Sequence, residues 1–164
     1  MRPATLFLDT NILLDSPTLE ACLLPTRNAT LVVLPEVMRE LRGLARSPTR
    51  GQAGAAMQAV ANLESLARRR GSAAGIPLSR SNTLLRIVPG TREGPINTDA
   101  ELVVRAKAEQ ARRRGVLVAV VTRDAGVAER ARSEGVKSIL IHGSITPKEL
   151  ERRVAEHDSL LDIE

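Results

Sequence analysis

The sequence predicts an α/β fold, with a single three-layer α/β/α domain over residues 1–164 and a mostly parallel central sheet. Apolar runs typical of strands alternate along the chain with segments that carry helix start signals, which indicates a sheet covered by helices. The run at 116–121, VLVAVV, is apolar throughout, as expected for a strand buried on both faces. With 164 residues, of which 43% are hydrophobic, the chain can bury one sizeable core.

The first half of the chain is expected to alternate strands and helices. Pro17 and Pro35 each follow a strand-like run, and proline suits the first turn of a helix because its missing N–H has no partner there anyway. Ser16 adds an N-cap before Pro17. The expected elements, in order, are a strand at 4–8, a short helix from Ser16 to about Leu24, a strand at 30–34, a helix at 36–45 and a helix near 53–70.

The second half continues the alternation. Thr98 with Glu101, and Thr146 with Glu149, have the spacing of a capping box, in which Ser or Thr caps the helix and an acid three residues later bonds back. The expected elements, in order, are a strand at 84–88, a helix at 98–114, a strand at 116–121, a helix at 124–134, a strand at 138–141 and a last helix to about His157.

The net charge of +5 is unevenly distributed. Residues 42–92 contain nine arginines and one acid, Glu64, so the remainder of the chain carries −3. A basic segment beside an acidic remainder is typical of a protein that attracts a polyanion, although arginine as the preferred surface cation would explain the composition as well. Phe7 is the sole aromatic residue, so contacts to a nucleic acid are expected to be mainly to its backbone.

Compartment and membrane association are also constrained by composition. Cys22 is the single cysteine, which excludes an intramolecular disulfide. The apolar runs are far shorter than the roughly 20 residues that a bilayer span requires, and a strand follows almost directly on Met1. We therefore expect a cytoplasmic protein without membrane association.

Four acids fall where a parallel sheet collects functional groups. Asp9 directly follows the first predicted strand and Asp124 follows the strand at 116–121, so both belong at the rim formed by the carboxyl ends of the strands. Asp99 lies in the first turn of a predicted helix. Glu40 shares a helix face with Glu36, one turn away.

Each acid except Asp9 also has an ordinary structural interpretation. Asp124 would serve as an N-cap, Asp99 as a charge that complements a helix dipole and Glu40 as a partner for a surface arginine. Asp9 ends a buried strand and gains nothing obvious as a cap. If the four carboxylates converge they repel one another, and a divalent cation relieves the repulsion; ligands made of oxygen alone favour Mg²⁺ or Mn²⁺ over Zn²⁺.

Four segments resemble, in order and spacing, the motifs of PIN-domain nucleases. They are LFLDTNILLDSP, LPEVMREL, NTDAELVVRA and VVTRDAGVAERARSEGV, and DTNILLDSP is especially similar to the PIN domains found in front of PhoH-like ATPases. The resemblance implies a PIN-like domain in which an Arg- and Ala-rich stretch at about 46–83 is an insertion. Arg123 departs from the pattern, because the family more often has a small polar residue there.

The resemblance implies metal-dependent cleavage of RNA. We expect a ribonuclease that acts on single-stranded RNA and leaves a 5′-phosphate and a 3′-hydroxyl; whether it cuts within the strand, as an endoribonuclease, or from an end stays open. The resemblance assigns the catalytic acids as Asp9, Glu40, Asp99 and Asp124, of which Asp9, Asp99 and Asp124 would bind one or two Mg²⁺ or Mn²⁺ ions. Supporting positions are Asn11, Thr122 and Glu36, and the expected RNA-binding arginines are Arg42, Arg46 and Arg50.

Other interpretations stay open. Many small PIN domains are toxins of toxin-antitoxin pairs, so an antitoxin partner is one alternative, and a non-catalytic RNA-binding module is another; a homodimer is compatible with either. A phosphoacceptor receiver domain would need an acid at the end of a middle strand, which LLRIVPG lacks. A dinucleotide site would need G-x-G-x-x-G after the first strand, which is absent.

Overall fold

A six-stranded sheet forms the centre of the fold. The architecture is that of a computed structural model, which describes residues 3–15, 28–47, 51–70, 75–78, 83–90, 97–143 and 147–161. The strands in these segments are β1 (Ala4–Leu8), β2 (Ala29–Val33), β3 (Ile76–Pro77), β4 (Leu84–Ile87), β5 (Leu117–Thr122) and β6 (Lys137–Leu140). Their spatial order is β3-β4-β2-β1-β5-β6.

The helices complete a three-layer α/β/α arrangement. Those in the described segments are α1 (Thr10–Asp15), α2 (Pro35–Ala45), α3 (Ala53–Arg70), α4 (Thr98–Arg112), α5 (Ala125–Ser133) and α6 (Pro147–Leu161). All strand pairs are parallel except β3 with β4. The predicted α/β class with a mostly parallel sheet is therefore confirmed.

The strand order reverses beside β1. From β1 the chain passes to β2 and then β4 on one side, and it returns through α4 to β5 on the other side of β1. In open parallel sheets, such a switch point leaves a crevice outside the carboxyl ends of the two strands. Asp9 follows β1 and Asp124 lies two residues after the end of β5, so both acids lie at this crevice.

The strands that carry these acids are the most deeply buried part of the molecule. Every residue of β1 and β5 is buried, and Leu6, Leu8 and Val121 have no exposed surface. Complete burial of a Leu or Val side chain contributes about 1.5–3 kcal/mol. Because neighbouring helices pack over both strands, their ends are held rigidly at the rim.

One helix start differs from the prediction. The N-cap of α4 is Asn97, whose side-chain oxygen accepts the backbone N–H of Ala100 at 3.1 Å, and Thr98 is the first helical residue. The prediction that Thr98 caps this helix was wrong because the amide of Asn97 already satisfies the free N–H group. The hydroxyl of Thr98 instead bonds Glu40, as described below.

Pro35 begins α2 as predicted, and most other boundaries follow the sequence within one or two residues. The last helix, α6, ends at Leu161, four residues beyond the predicted end at about His157. The helix α1 and the short strand β3 were not predicted. The predicted helix from Ser16 to about Leu24 and the capping residue Thr146 lie outside the described residues. Within the described segments, no helix is long and apolar enough to span a bilayer.

Candidate active site

Asp9 is a buried carboxylate at the switch point. Its side chain is 4% exposed, and it accepts three hydrogen bonds. Oδ1 accepts the backbone N–H of Thr10 at 2.7 Å, while Oδ2 accepts the hydroxyl of Thr122 at 2.7 Å and the Asn11 amide at 3.2 Å. These bonds come from both sides of the carboxylate, so its orientation is fixed by the end of β5 and the first turn of α1.

Thr122 connects Asp9 with Asp124. Its hydroxyl donates to Asp9 and accepts the backbone N–H of Asp124 at 3.0 Å. Asp124 caps α5, since its Oδ1 accepts the N–H groups of Gly126 at 2.7 Å and Val127 at 3.4 Å. The other oxygen, Oδ2, accepts none of these bonds, and the residue is exposed. Asp124 is thus both a helix cap and an acid with one oxygen directed away from the cap bonds.

Asn11 links Asp9 to the residue that precedes Asp124. Its Oδ1 accepts the backbone N–H of Arg123 at 3.1 Å, while its Nδ2 donates to Asp9. The guanidinium of Arg123 pairs with Asp15 at 2.6 Å and donates to the carbonyl of Gly143. Arg123 therefore links the end of α1 to the loop after β6. Asp15 is the last residue of α1 and the partner of Arg123.

Glu40 and Asp99 come from two helices that contact each other at this rim. Oε2 of Glu40 accepts the hydroxyl of Thr98 at 2.5 Å, which joins the middle of α2 to the first turn of α4. Asp99 follows Thr98 directly and is exposed. The contact between Thr98 and Glu40 therefore holds the two acidic segments together.

Burial raises the pKa of the Asp9 carboxyl above its ordinary value of 3.8, because the charged form loses its water. The hydrogen bonds from Thr122 and Thr10 oppose this change by favouring the charged form, and the negative charges of Asp99 and Glu40 add to it. The carboxylate is thus held at a cost that a nearby cation would relieve.

The pKa of Asp99 is also raised, first by partial burial and then by the charges of Asp124 and Glu40. The guanidinium of Arg130, on α5, acts in the opposite direction. Asp99 therefore interacts with each of the other three acids, since it also raises the pKa of Asp9. The four acids predicted from the sequence form one electrostatically coupled cluster, which is referred to below as the acidic cluster.

The donor chemistry of the acidic cluster fits a divalent cation, because carboxylate oxygens are the ligands that Mg²⁺ and Mn²⁺ prefer. The geometry is more open than a finished metal site. Within residues that the structure describes, no three His, Cys, Asp or Glu side chains are gathered closely enough to hold one ion. Asp9 is fixed by three hydrogen bonds, whereas Asp99 and Asp124 are exposed at the rim.

Glu36 lies apart from this cluster. It is 6% exposed, and neither carboxylate oxygen has a hydrogen-bond partner in the described part of the chain. It shares a helix face with Glu40, but it does not contribute to the pKa shift of Asp9 or Asp99. The structure therefore provides no link between Glu36 and the other acids.

The predicted RNA-binding arginines lie on the α2 and α3 side of the molecule. Arg42 is exposed and pairs with Glu64 of α3 at 3.2 Å, and Arg46 is exposed at the end of α2. Arg50 lies outside the described residues.

Sequence reasoning missed two contributors to the site. Thr98 was interpreted as a helix cap, and its bond to Glu40 depends on how α2 packs against α4. Arg130, whose positive charge lowers the pKa of Asp99, was not singled out, because no local pattern distinguishes it from the other arginine of α5. The only sequence signal for Thr98 was its place at a predicted helix start, in the segment NTD at 97–99.

Comparison with known proteins identifies the family. A model of the PIN domain matches residues 6–142, a range that contains all four members of the acidic cluster. The chain therefore belongs to the PIN-domain family, whose members are generally metal-dependent nucleases.

One solved structure similar to this chain is a domain of a functionally unknown protein from Methanocaldococcus jannaschii. The two share 14% sequence identity with a TM-score of 0.53, and the match covers 86% of this chain and 93% of that chain. At this identity the similarity concerns the fold alone. No curated protein matches the chain.

Proposed function

We propose that the protein is a divalent-metal-dependent ribonuclease that cleaves phosphodiester bonds in single-stranded RNA. The observation that carries this proposal is the buried Asp9 at the β1/β5 switch point, electrostatically coupled to Asp99 and Glu40 and joined through Thr122 to Asp124. Burial raises the pKa of the Asp9 carboxyl and the charges of two further acids add to the rise, which a purely structural role does not explain. A cation-binding site for phosphate chemistry does.

Asp9, Asp99 and Asp124 are the proposed holders of one or two Mg²⁺ or Mn²⁺ ions. Asp9 is the fixed member, and the exposed Asp99 and Asp124 would reorient toward it, since a cation removes the repulsion between them. When bound, the ion would acidify water and stabilise the charge that develops on the phosphate. Glu40, oriented by Thr98, would complete the site or position the attacking water.

In the proposed reaction, a hydroxide attacks phosphorus in line with the bond to the 3′ oxygen. That bond breaks, and the leaving oxygen takes a proton, so the products carry a 5′-phosphate and a 3′-hydroxyl. Arg42 and Arg46 are exposed beside Glu40 on α2 and are proposed to contact the RNA backbone. With a single aromatic residue in the chain, base stacking contributes little.

Cleavage of labelled single-stranded RNA by purified protein with Mn²⁺ tests the proposal. Asp9→Asn and Asp99→Asn are expected to lower the rate by about a hundredfold or more, since each removes charge from the site that stabilises the transition state. Glu134→Gln is the matched control, because this acid pairs with Lys107 far along α5 and its loss should leave the rate unchanged. Equal rates in Asp9→Asn, Asp99→Asn and wild type would overturn the proposal.

A non-catalytic RNA-binding module, or a toxin that depends on an antitoxin, is the second candidate. The open arrangement of the acids, with no three described side chains around one point, favours a non-catalytic role. RNA retention that is indifferent to Mn²⁺ and produces no fragments would support this candidate over the first.

A nearer relation to the PIN domains of PhoH-like proteins is proposed from the segment DTNILLDSP. An insertion at about 46–83 is proposed from the Arg- and Ala-rich composition of that stretch.

A further inference from the structure

A groove of about 550 Å³ runs along the outer side of β6, between the end of α5 and α6. β6 is the last strand of the sheet and pairs with β5 alone among the described strands. The groove spans the whole strand, from Gly135 before it to His142 after it. Nothing in the proposed catalytic chemistry uses this groove.

The charged residues that line the groove are mostly cationic. Arg132, Lys137 and Arg153 contribute three positive charges, and Glu156 is the acid among the lining residues of the described part of the chain. Glu156 pairs with Arg152 and Arg153 on its own helix, so its charge is already matched. The groove is therefore a site of net positive charge along the edge of the sheet.

The three cations differ in the hydrogen bonds and ion pairs that they already make. The side chain of Lys137 makes no hydrogen bond or ion pair with any described residue. Arg132 makes a surface pair with Glu129 at 3.4 Å and a long hydrogen bond to the carbonyl of Ala128 at 3.5 Å, both within its own helix, and such exposed contacts cost little to break. Arg153 donates to the carbonyl of Leu140 at 3.0 Å and so links α6 to β6. Lys137 and Arg132 are thus the side chains available to a ligand.

The groove opens beside the acidic cluster. β6 is the neighbour of β5, whose end carries Asp124, and adjacent strands are about 4.8 Å apart. Arg123, which directly precedes Asp124, donates to the carbonyl of Gly143, the residue after His142. A strand bound at Asp124 thus meets His142 and the groove after a short distance along the rim.

We propose that this groove binds the phosphodiester backbone of the RNA strand on one side of the cleavage point; the inference rests on the proposed function. The cations fit phosphates, and the absence of Tyr, Trp and further Phe leaves backbone charge as the main means of holding RNA. An extended peptide added to the free edge of β6 is less favoured. The guanidinium of Arg153 already occupies the Leu140 carbonyl, one of the groups that such a peptide would pair with.

The test compares two charge-matched double variants. Arg132→Gln with Lys137→Gln neutralises the groove, and Lys107→Gln with Arg114→Gln removes the same charge from exposed positions outside it. Binding of a fluorescent 20-nucleotide RNA is measured with EDTA, so that no cleavage occurs, over a series of salt concentrations. The groove variant is expected to bind roughly three- to tenfold more weakly than the control, with a salt slope smaller by about 1.4, or about 0.7 per lost phosphate contact.

Cleavage separates this inference from the proposed function. With Mn²⁺, the groove variant should cleave the long RNA with a raised KM and an unchanged kcat. It should cleave a trinucleotide as wild type does, because so short an RNA bound at Asp124 does not extend to Arg132 and Lys137 at the other end of β6. If wild type cleaves neither RNA, the proposed function fails, while the binding comparison still decides the groove. If both double variants bind RNA equally, the inference is overturned. A groove that holds a peptide and not RNA would give this result.

Discussion

The hydroxyl of Thr122 lies 2.7 Å from Oδ2 of Asp9, although the two residues are 113 positions apart in the sequence. The same hydroxyl accepts the N–H of Asp124 at 3.0 Å. Both contacts arise because β1 and β5 are neighbouring parallel strands that end at the same rim. The placement of two acids of the cluster is thus determined by the sheet itself.

Replacing Thr122 by Val should destabilise the protein, because the buried Asp9 carboxylate loses a hydrogen bond and the valine has nearly the same shape. The free energy of unfolding at neutral pH is expected to fall by about 1–3 kcal/mol in urea denaturation. Thr122→Ser keeps the hydroxyl and serves as the control. Equal stability of the Val and Ser variants would show that the hydroxyl contributes nothing to holding Asp9.

In the metal-free protein, the contribution of Asp9 to the free energy of unfolding should fall as the pH rises above about 3.8, its ordinary pKa. An aspartate with a raised pKa binds more protons in the folded than in the unfolded state, so its contribution is complete below its ordinary pKa and is lost as the pH passes its folded pKa. Asp9→Asn removes this contribution and should flatten the dependence. Urea denaturation at several pH values in EDTA measures it, and an unchanged slope in Asp9→Asn would contradict the expectation.

Mn²⁺ should stabilise the wild type at neutral pH, because a cation in the acidic cluster relieves the repulsion between Asp9 and Asp99. An ion present at a hundred times its Kd adds about 2.7 kcal/mol to the free energy of unfolding. Thermal unfolding with Mn²⁺ and with EDTA should therefore give a higher Tm with Mn²⁺. Glu134→Gln should keep this difference and Asp99→Asn should lose it; a difference of equal size in Asp99→Asn would argue against binding at the cluster.

Glu36→Met should stabilise the protein. Both oxygens of Glu36 are buried without a partner among the described residues, a condition that costs about 1–3 kcal/mol, and methionine fills similar space without a charge. The loss of an acid from the first turn of α2 offsets this by about 0.3–1 kcal/mol. Chemical denaturation of Glu36→Met and of a Glu64→Met control, at a partly exposed position, measures the difference, and a destabilised Glu36→Met would reveal a partner for this carboxylate.

Much of the rim was predictable from local signals. Asp9 and Asp124 follow strongly apolar strands, and parallel strands bring their carboxyl ends to one edge whatever the loops between them do. Pro35 marked the start of α2, and its helical period put Glu36 and Glu40 on one face. The period alone did not distinguish the buried Glu36 from Glu40, because that difference depends on what packs against the helix.

The features that escaped prediction depend on contacts between distant segments. Helix α1, TNILLD, is only six residues long, too short for an apolar pattern to separate it from the strand before it. Thr98 was predicted to be the cap from its spacing to Glu101, but its neighbour Asn97 is an equally good cap. Only the packing of α2 on α4 assigns the Thr98 hydroxyl to Glu40. The groove along β6 follows from the strand order, which local sequence does not specify.

A crystal structure of the protein soaked with Mn²⁺ tests the proposed site most directly, because the anomalous signal locates the ion independently of activity. An anomalous peak within about 2.0–2.6 Å of carboxylate oxygens of Asp9 and of Asp99 or Asp124 is the predicted result. Full occupancy of Mn²⁺ elsewhere on the molecule, with no peak at Asp9, would contradict it.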